Sequence, residues 1–198
     1  MAALTRGLEL LESAVAYALA STAMVTPHML SRRTPCAAWD LAMLLDHVGD
    51  SADVLHEAIS AAPVGMHIAP QGADPVRRLR EKLAALLAAT ATAVPPARAL
   101  AIWDRELAAS IVVLTGSVEV TVHGWDIAVA CGADRPVPAG LATVLLATVP
   151  LLVPPQARPG LFADPVRTGD PADPGDELVA FLGRQPFRGD SGAPTWSA

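Results

Sequence analysis

Charge, aromatic side chains and cysteine are all scarce in this 198-residue chain, where 17% of residues are charged, 4% are aromatic and two are cysteine. Each shortage excludes something. Acidic residues outnumber basic ones 20 to 14, so there is no electrostatic footprint for a polyanion, and four tryptophans, three phenylalanines and one tyrosine offer few stacking platforms. A nucleic-acid partner is not expected. Cys36 and Cys131 cannot build a disulfide framework and read as thiols of a reducing compartment. The longest apolar run, from Leu141 to Val153, is interrupted by Pro150 and is about 13 residues long, short of the roughly 20 that a membrane span needs. Glu9 and Glu12 fall where the apolar region of a secretory signal would lie. The expectation is a soluble, cytoplasmic protein with no membrane partner.

What remains is strongly apolar: 52% hydrophobic residues and a mean hydropathy of +0.39 imply one sizeable core. The apolar residues recur mostly at helical spacing. Leu4, Leu8, Leu11, Val15 and Leu19 mark a first helix ending near Val25, and a Pro-containing connection follows to Asp40, placed to cap the next helix. Leu41, Leu44, Leu45, Val48, Leu55 and Ile59 trace the second helix, fading at Pro63 and Gly65, with a loop over 63–75. A third, from about Asp74 to Val94, carries Leu79, Leu83, Leu86 and Leu87 and is closed by Pro95 and Pro96. Its basic cluster, Arg77, Arg78, Arg80 and Lys82, reads as a solvated face.

From Leu107 to Cys131 two periods compete. Ser117 to His123 alternates like a strand, but Leu107, Ile111, Leu114, Val118, Val122, Trp125 and Val129 hold a helical stripe over six turns, so a fourth helix ended by Gly132 is predicted. Val112, Val113, Val120 and Ile127 lie off that stripe, which makes the helix a central, largely buried element. A fifth helix over Leu141 to Val153 completes residues 1–153, read as a helical bundle. Residues 154–198 read as a Pro- and Gly-rich extension lying across it, with one short helix from Pro174 to Gly183 capped by Asp173. The chain contains no internal repeat, phosphate-binding loop, dinucleotide fingerprint or serine-hydrolase elbow.

The chemistry concentrates on the fourth helix. Glu119 and His123 are one helical turn apart, and an even separation would put them on one side of a strand as well. A carboxylate in so apolar an element demands a cation, a hydrogen-bond network or a metal. Asp126 joins the same face, suited to orienting a ligating histidine or taking a proton. His47, at the edge of the second helix's apolar stripe, can supply a third donor. Two histidines and one carboxylate make a set that leaves a fourth position open on zinc and also suits ferrous iron. Against this stands a plain polar pair between Glu119 and His123. Cys36 reads as an inert thiol, Cys131 as packing, and Trp39 and Trp125 as core aromatics. Leu44, Val48 and Val122 are the expected apolar walls.

The run Thr34-Pro35-Cys36-Ala37-Ala38-Trp39-Asp40, then Leu44-Leu45-Asp46-His47, then Glu119 to Asp126, resembles the metal-binding domain of the mycothiol-dependent maleylpyruvate isomerase family, within the DinB/YfiT-like superfamily. Leu161-Phe162 and Leu178 to Arg184 are also similar to actinobacterial members. The resemblance implies an all-α four-helix bundle of DinB/YfiT-like type with a short C-terminal extension. It further implies a divalent metal, zinc foremost with nickel as alternative, held by His47, Glu119 and His123, while iron stays open on the ligand set alone. Mycothiol as cosubstrate, in a transferase or isomerase acting on a small electrophile, follows from the same resemblance. The larger second domain of the isomerase, with its substrate-binding arginine, has no counterpart motif among Arg158, Arg167, Arg184 and Arg188. The alternatives are a non-enzymatic metal- or ligand-binding bundle, a homodimer among its forms, and an Fe(II) oxygenase.

Overall fold

The computed structural model describes residues 2–36, 38–60, 74–92, 100–102, 105–107, 109–169 and 172–186. Among the described residues, six α-helices run in chain order: α1 (Ala2–Thr22), α2 (Leu41–Ser60), α3 (Pro75–Thr92), α4 (Ala109–Ala130), α5 (Ala139–Leu152) and α6 (Pro174–Phe181). The predicted loop over 63–75 and the Pro95-Pro96 stop lie almost wholly outside the described residues.

Local chemistry explains the boundaries. Asp40 caps α2 by accepting the Met43 amide at 2.9 Å, and Asp173 caps α6 by accepting the Gly175 amide at 2.8 Å, both as the sequence predicts. After α4 the chain reverses at Gly132 in a left-handed conformation, and Arg32 donates to the terminal carbonyls of Ala130 and Cys131. The first helix ends at Thr22 rather than Val25, because Met24 and Val25 turn back in i to i−3 bonds onto Ser21 and Thr22.

Helices α1, α4, α2 and α3 contact one another in that order around a closed ring, α3 meeting α1 again. The result is an all-α bundle. Its core is Leu11, Val15, Leu41, Leu44, Leu45, Val48, Leu79, Leu83 and Leu86, with Val113, Val120 and Ile127 from α4. At α1 against α4 the backbones approach so closely that a Cβ on Gly124 would lie 3.1 Å from the Ala18 Cα, so any side chain there would have to push α1 back by a few tenths of an ångström.

The opposite face of α4 builds a second core. Val118, Val122, Trp125 and Val129 pack with Leu141, Leu145 and Val149 of α5, Leu178 and Val179 of α6, and Leu10 and Tyr17 of α1. Helix α4 is therefore sandwiched, which explains why its sequence is apolar all round and why one stripe describes it poorly. Ile111, placed on that stripe by periodicity, is 46% exposed, and Leu107 belongs to no helix. Leu107 instead pairs with Leu100 in a short antiparallel pair, β1 (Leu100–Ile102) with β2 (Arg105–Leu107), which periodicity did not anticipate.

The basic cluster on α3 is only partly a solvated face. Arg78 reaches Asp46 at 2.6 Å, and Lys82 reaches Asp53 at 2.8 Å and Asp50 at 3.3 Å, so two of its cations form a charged seam with α2. These pairs are half-open to water and add little stability. Among the described residues, no helix is long and apolar enough to cross a membrane.

Candidate metal centre

Three predicted donors meet where α2 and α4 face each other. The His47 Nε2 lies 2.7 Å from the Glu119 Oε1, and the His123 Nε2 lies 3.3 Å from the same oxygen. All three donor atoms fall within 4.8 Å of one another. Ser51, one turn beyond His47, donates to the Glu119 Oε1 at 3.2 Å. The imidazoles of His47 and His123 meet edge to face, with centroids 5.1 Å apart.

Behind this group sits Asp126, completely buried, with its Oδ2 2.9 Å from the His123 Nδ1. The His123 ring thus lies between two carboxylates, Glu119 at Nε2 and Asp126 at Nδ1. Burial alone would push the imidazole's pKa down, but the hydrogen bonds to Asp126 and Glu119 outweigh it and hold the ring well above its ordinary range. Burial would likewise raise Glu119, yet its bonds to His123 and His47 keep it far below the usual carboxylate range. Asp126 is lowered against its burial chiefly by the charge of Arg184 and then by His123.

Arg184 was not singled out by sequence. Its Nη2 lies 2.9 Å from the Asp126 Oδ2, its Nε lies 3.3 Å from Oδ1, and its Nη1 donates to the Leu182 carbonyl. The available signal was indirect, a buried acid that requires a cation and an arginine placed just past a helix-ending glycine. Cys36, read as inert, also belongs here. Its Sγ lies 3.4 Å from the Asp126 Oδ2 and from the Arg184 Nη2, and 3.9 Å from the His123 Nδ1. Both cysteines are free thiols.

The donors open onto a cavity of about 630 Å³ whose walls include Trp39, Val122, Phe162, Leu182, Cys36 and Arg184. Trp39 is a wall rather than a core residue, its ring 4.4 Å from that of His47. Of the expected walls only Val122 is present. Leu44 and Val48 are turned fully into the bundle core, and Pro35, Cys36, Ala38 and Trp39 of the connection before α2 line the cavity in their place.

The donor set suits a divalent cation. Two imidazoles and a carboxylate are the borderline ligands that zinc and its neighbours prefer, and the Asp126 contact at Nδ1 leaves the His123 Nε2 directed at the other two donors. A second grouping, Cys36 with His123 and Asp126, also lies within 4.8 Å, but there Asp126 is already neutralised by Arg184.

Fold and site together define a helical bundle with a histidine–glutamate–histidine cluster on the floor of an apolar cavity. The chain belongs to the mycothiol maleylpyruvate isomerase N-terminal domain family, whose model matches residues 11–128. That span contains the three donors, Cys36 and Asp126, and stops short of α5, α6 and Arg184. Two similar relatives are "Uncharacterized protein Rv0738" of Mycobacterium tuberculosis strain H37Rv and "Uncharacterized protein MT0763" of strain CDC 1551. Each is 34% identical over 170 residues, covering 82% of this chain and 88% of the relative. No solved structure matches the chain.

Proposed function

We propose that the protein binds one divalent metal ion, zinc foremost with nickel or iron as alternatives, through His47, Glu119 and His123, and uses it in a thiol-dependent transfer or isomerisation of a small electrophile. The observation that carries this is the convergence of three donor atoms within 4.8 Å at the floor of a cavity large enough for a small molecule. Membership of a mycothiol-linked family makes mycothiol the first thiol to test.

When bound, the metal would lower the pKa of a coordinating thiol and so supply a thiolate at neutral pH. The protein's own groups prepare the place. Asp126 fixes the ring of His123, and His47 is held between Glu119 and the face of Trp39. Asp126 is committed to His123 and Arg184, which leaves the cavity side of the three donors for a thiol. Trp39, Val122 and Phe162 line the space where the electrophile would sit and give it apolar walls. Reaction in the cytoplasm, where reduced thiols are abundant, fits both free cysteines.

The test is spectroscopic. Cobalt-loaded protein titrated with mycothiol should develop a thiolate-to-metal charge-transfer band, absent from Glu119→Ala. Cobalt uptake with no such band for any thiol would contradict the thiol reading and leave a metal-binding bundle without thiol chemistry.

A further inference from the structure

The family match ends at residue 128, yet the buried acid behind the proposed metal centre is neutralised by residue 184. Helix α6 is built to deliver that arginine. The chain leaves α6 through Gly183 in a left-handed conformation, φ 82°, with the Gly183 amide bonded to Ala180 O and the Arg184 amide bonded back to Val179 O. This pair of bonds is the Schellman stop, and it turns residue 184 away from the helix axis. A side chain at 183 is excluded twice, by the positive φ and by the Ala163 carbonyl oxygen, 2.8 Å from where a Cβ would stand. Leu178, Val179 and Leu182 lock α6 against α4 and α5. The guanidinium is then presented edge-on to Asp126 through two of its nitrogens, with 10% of its side chain exposed.

We propose that Arg184 is a positioning residue for the metal centre. It acts through Asp126 on the ring of His123, so that docking of the C-terminal segment and occupancy of the site are energetically coupled. This rests on the metal reading above. Arg184 touches none of the three donors, so its influence passes through the Asp126 Oδ2, the atom it shares with the His123 Nδ1. With the guanidinium gone, Asp126 would be a buried carboxylate with one partner fewer and its carboxylate plane unfixed, and the His123 ring would lose its fixed angle. Coupling is reciprocal: whatever factor the docked segment adds to metal affinity, the metal adds to docking.

Two measurements test this. Zinc affinity, by competition with a chromophoric chelator, is compared among wild type, Arg184→Met, Arg184→Lys, Asp126→Asn and the Asp126→Asn/Arg184→Met double variant. Loss of the guanidinium should weaken zinc binding about ten-fold, as removal of such outer partners does. Lysine should restore part of the loss, and Arg184→Met should add nothing once Asp126 is Asn. Amide exchange of residues 175–184 in the wild-type protein, which depends on no variant folding, should slow on adding zinc. A folded Arg184→Met protein with wild-type zinc affinity, the same loss in both backgrounds, or exchange in α6 indifferent to zinc would overturn the coupling while leaving the metal reading intact. A wild type that takes up neither zinc, nickel nor ferrous iron would overturn both.

Discussion

Arg184 and Asp126 are separated by 58 positions in sequence and joined by two hydrogen bonds in space, Nη2 to Oδ2 at 2.9 Å and Nε to Oδ1 at 3.3 Å. Both side chains are withdrawn from water, and the pair ties the last described helix to the middle of the bundle. Removing one partner of such a pair strands the other charge. Asp126→Ala should therefore destabilise the metal-free protein by about 3 kcal/mol or more in urea unfolding, whereas a solvent-exposed acid such as Glu81→Ala should change it by under about 0.5 kcal/mol. Equal effects for the two would show that the buried pair is not a structural tie.

Gly183→Ala should disturb the same tie without touching a charge. The left-handed φ and the close Ala163 carbonyl both oppose a Cβ, and together they should lower stability by about 1–3 kcal/mol. A variant as stable as wild type in thermal unfolding would mean that α6 can end without its glycine.

The metal-free protein should lose stability at both ends of the pH scale. Glu119 and Asp126 have depressed values in the fold, so their contribution is complete above the ordinary carboxylate range near about 4 and fades as pH falls through the lower folded values. His123 has the opposite sign. Its contribution is complete below the ordinary histidine value of 6.5 and fades as pH rises through its raised folded value. Urea midpoints of chelator-treated protein should fall on both sides, and His123→Gln should remove the part of the alkaline decline that sets in below the ordinary phenol value of 10.0. A wild-type midpoint that keeps rising through the alkaline range would contradict the assignment.

Tyr17 is the sole tyrosine of the chain, buried between α1 and α4 and donating to the Arg135 carbonyl at 2.8 Å. Burial pushes its phenol far up, outweighing the nearby Arg135 charge. Its contribution is complete below the ordinary phenol value of 10.0 and is lost above it. Absorbance titration should show tyrosinate only as the protein unfolds. Reversible ionisation near the ordinary value, with helical ellipticity intact, would contradict that burial.

Most helices were legible because each leaves a local mark: the i, i+3, i+4 rows of α2 and α3, the caps at Asp40 and Asp173, and the stop at Gly132. Glu119 and His123 were legible for the same reason, sharing one element at a fixed spacing. Residues joined only by the tertiary fold left no such mark. Nothing near Arg184 announces Asp126, and nothing near Cys36 announces His123, because charge pairing across the bundle has no sequence period. The strand pair at 100–107 was missed because two three-residue strands are too short to show alternation. On α4, Ile111 was misplaced because a helix packed on two sides has no single buried stripe.

The most direct test of the account is the metal content of purified, tag-free protein, measured for wild type beside His47→Ala, Glu119→Ala and His123→Ala with circular dichroism on each. The account predicts about one equivalent of divalent metal in the wild type and loss of it in all three variants while the helical signal persists. Wild-type protein that stays metal-free after reconstitution with zinc, nickel and ferrous iron, or folded variants that keep their metal, would contradict it.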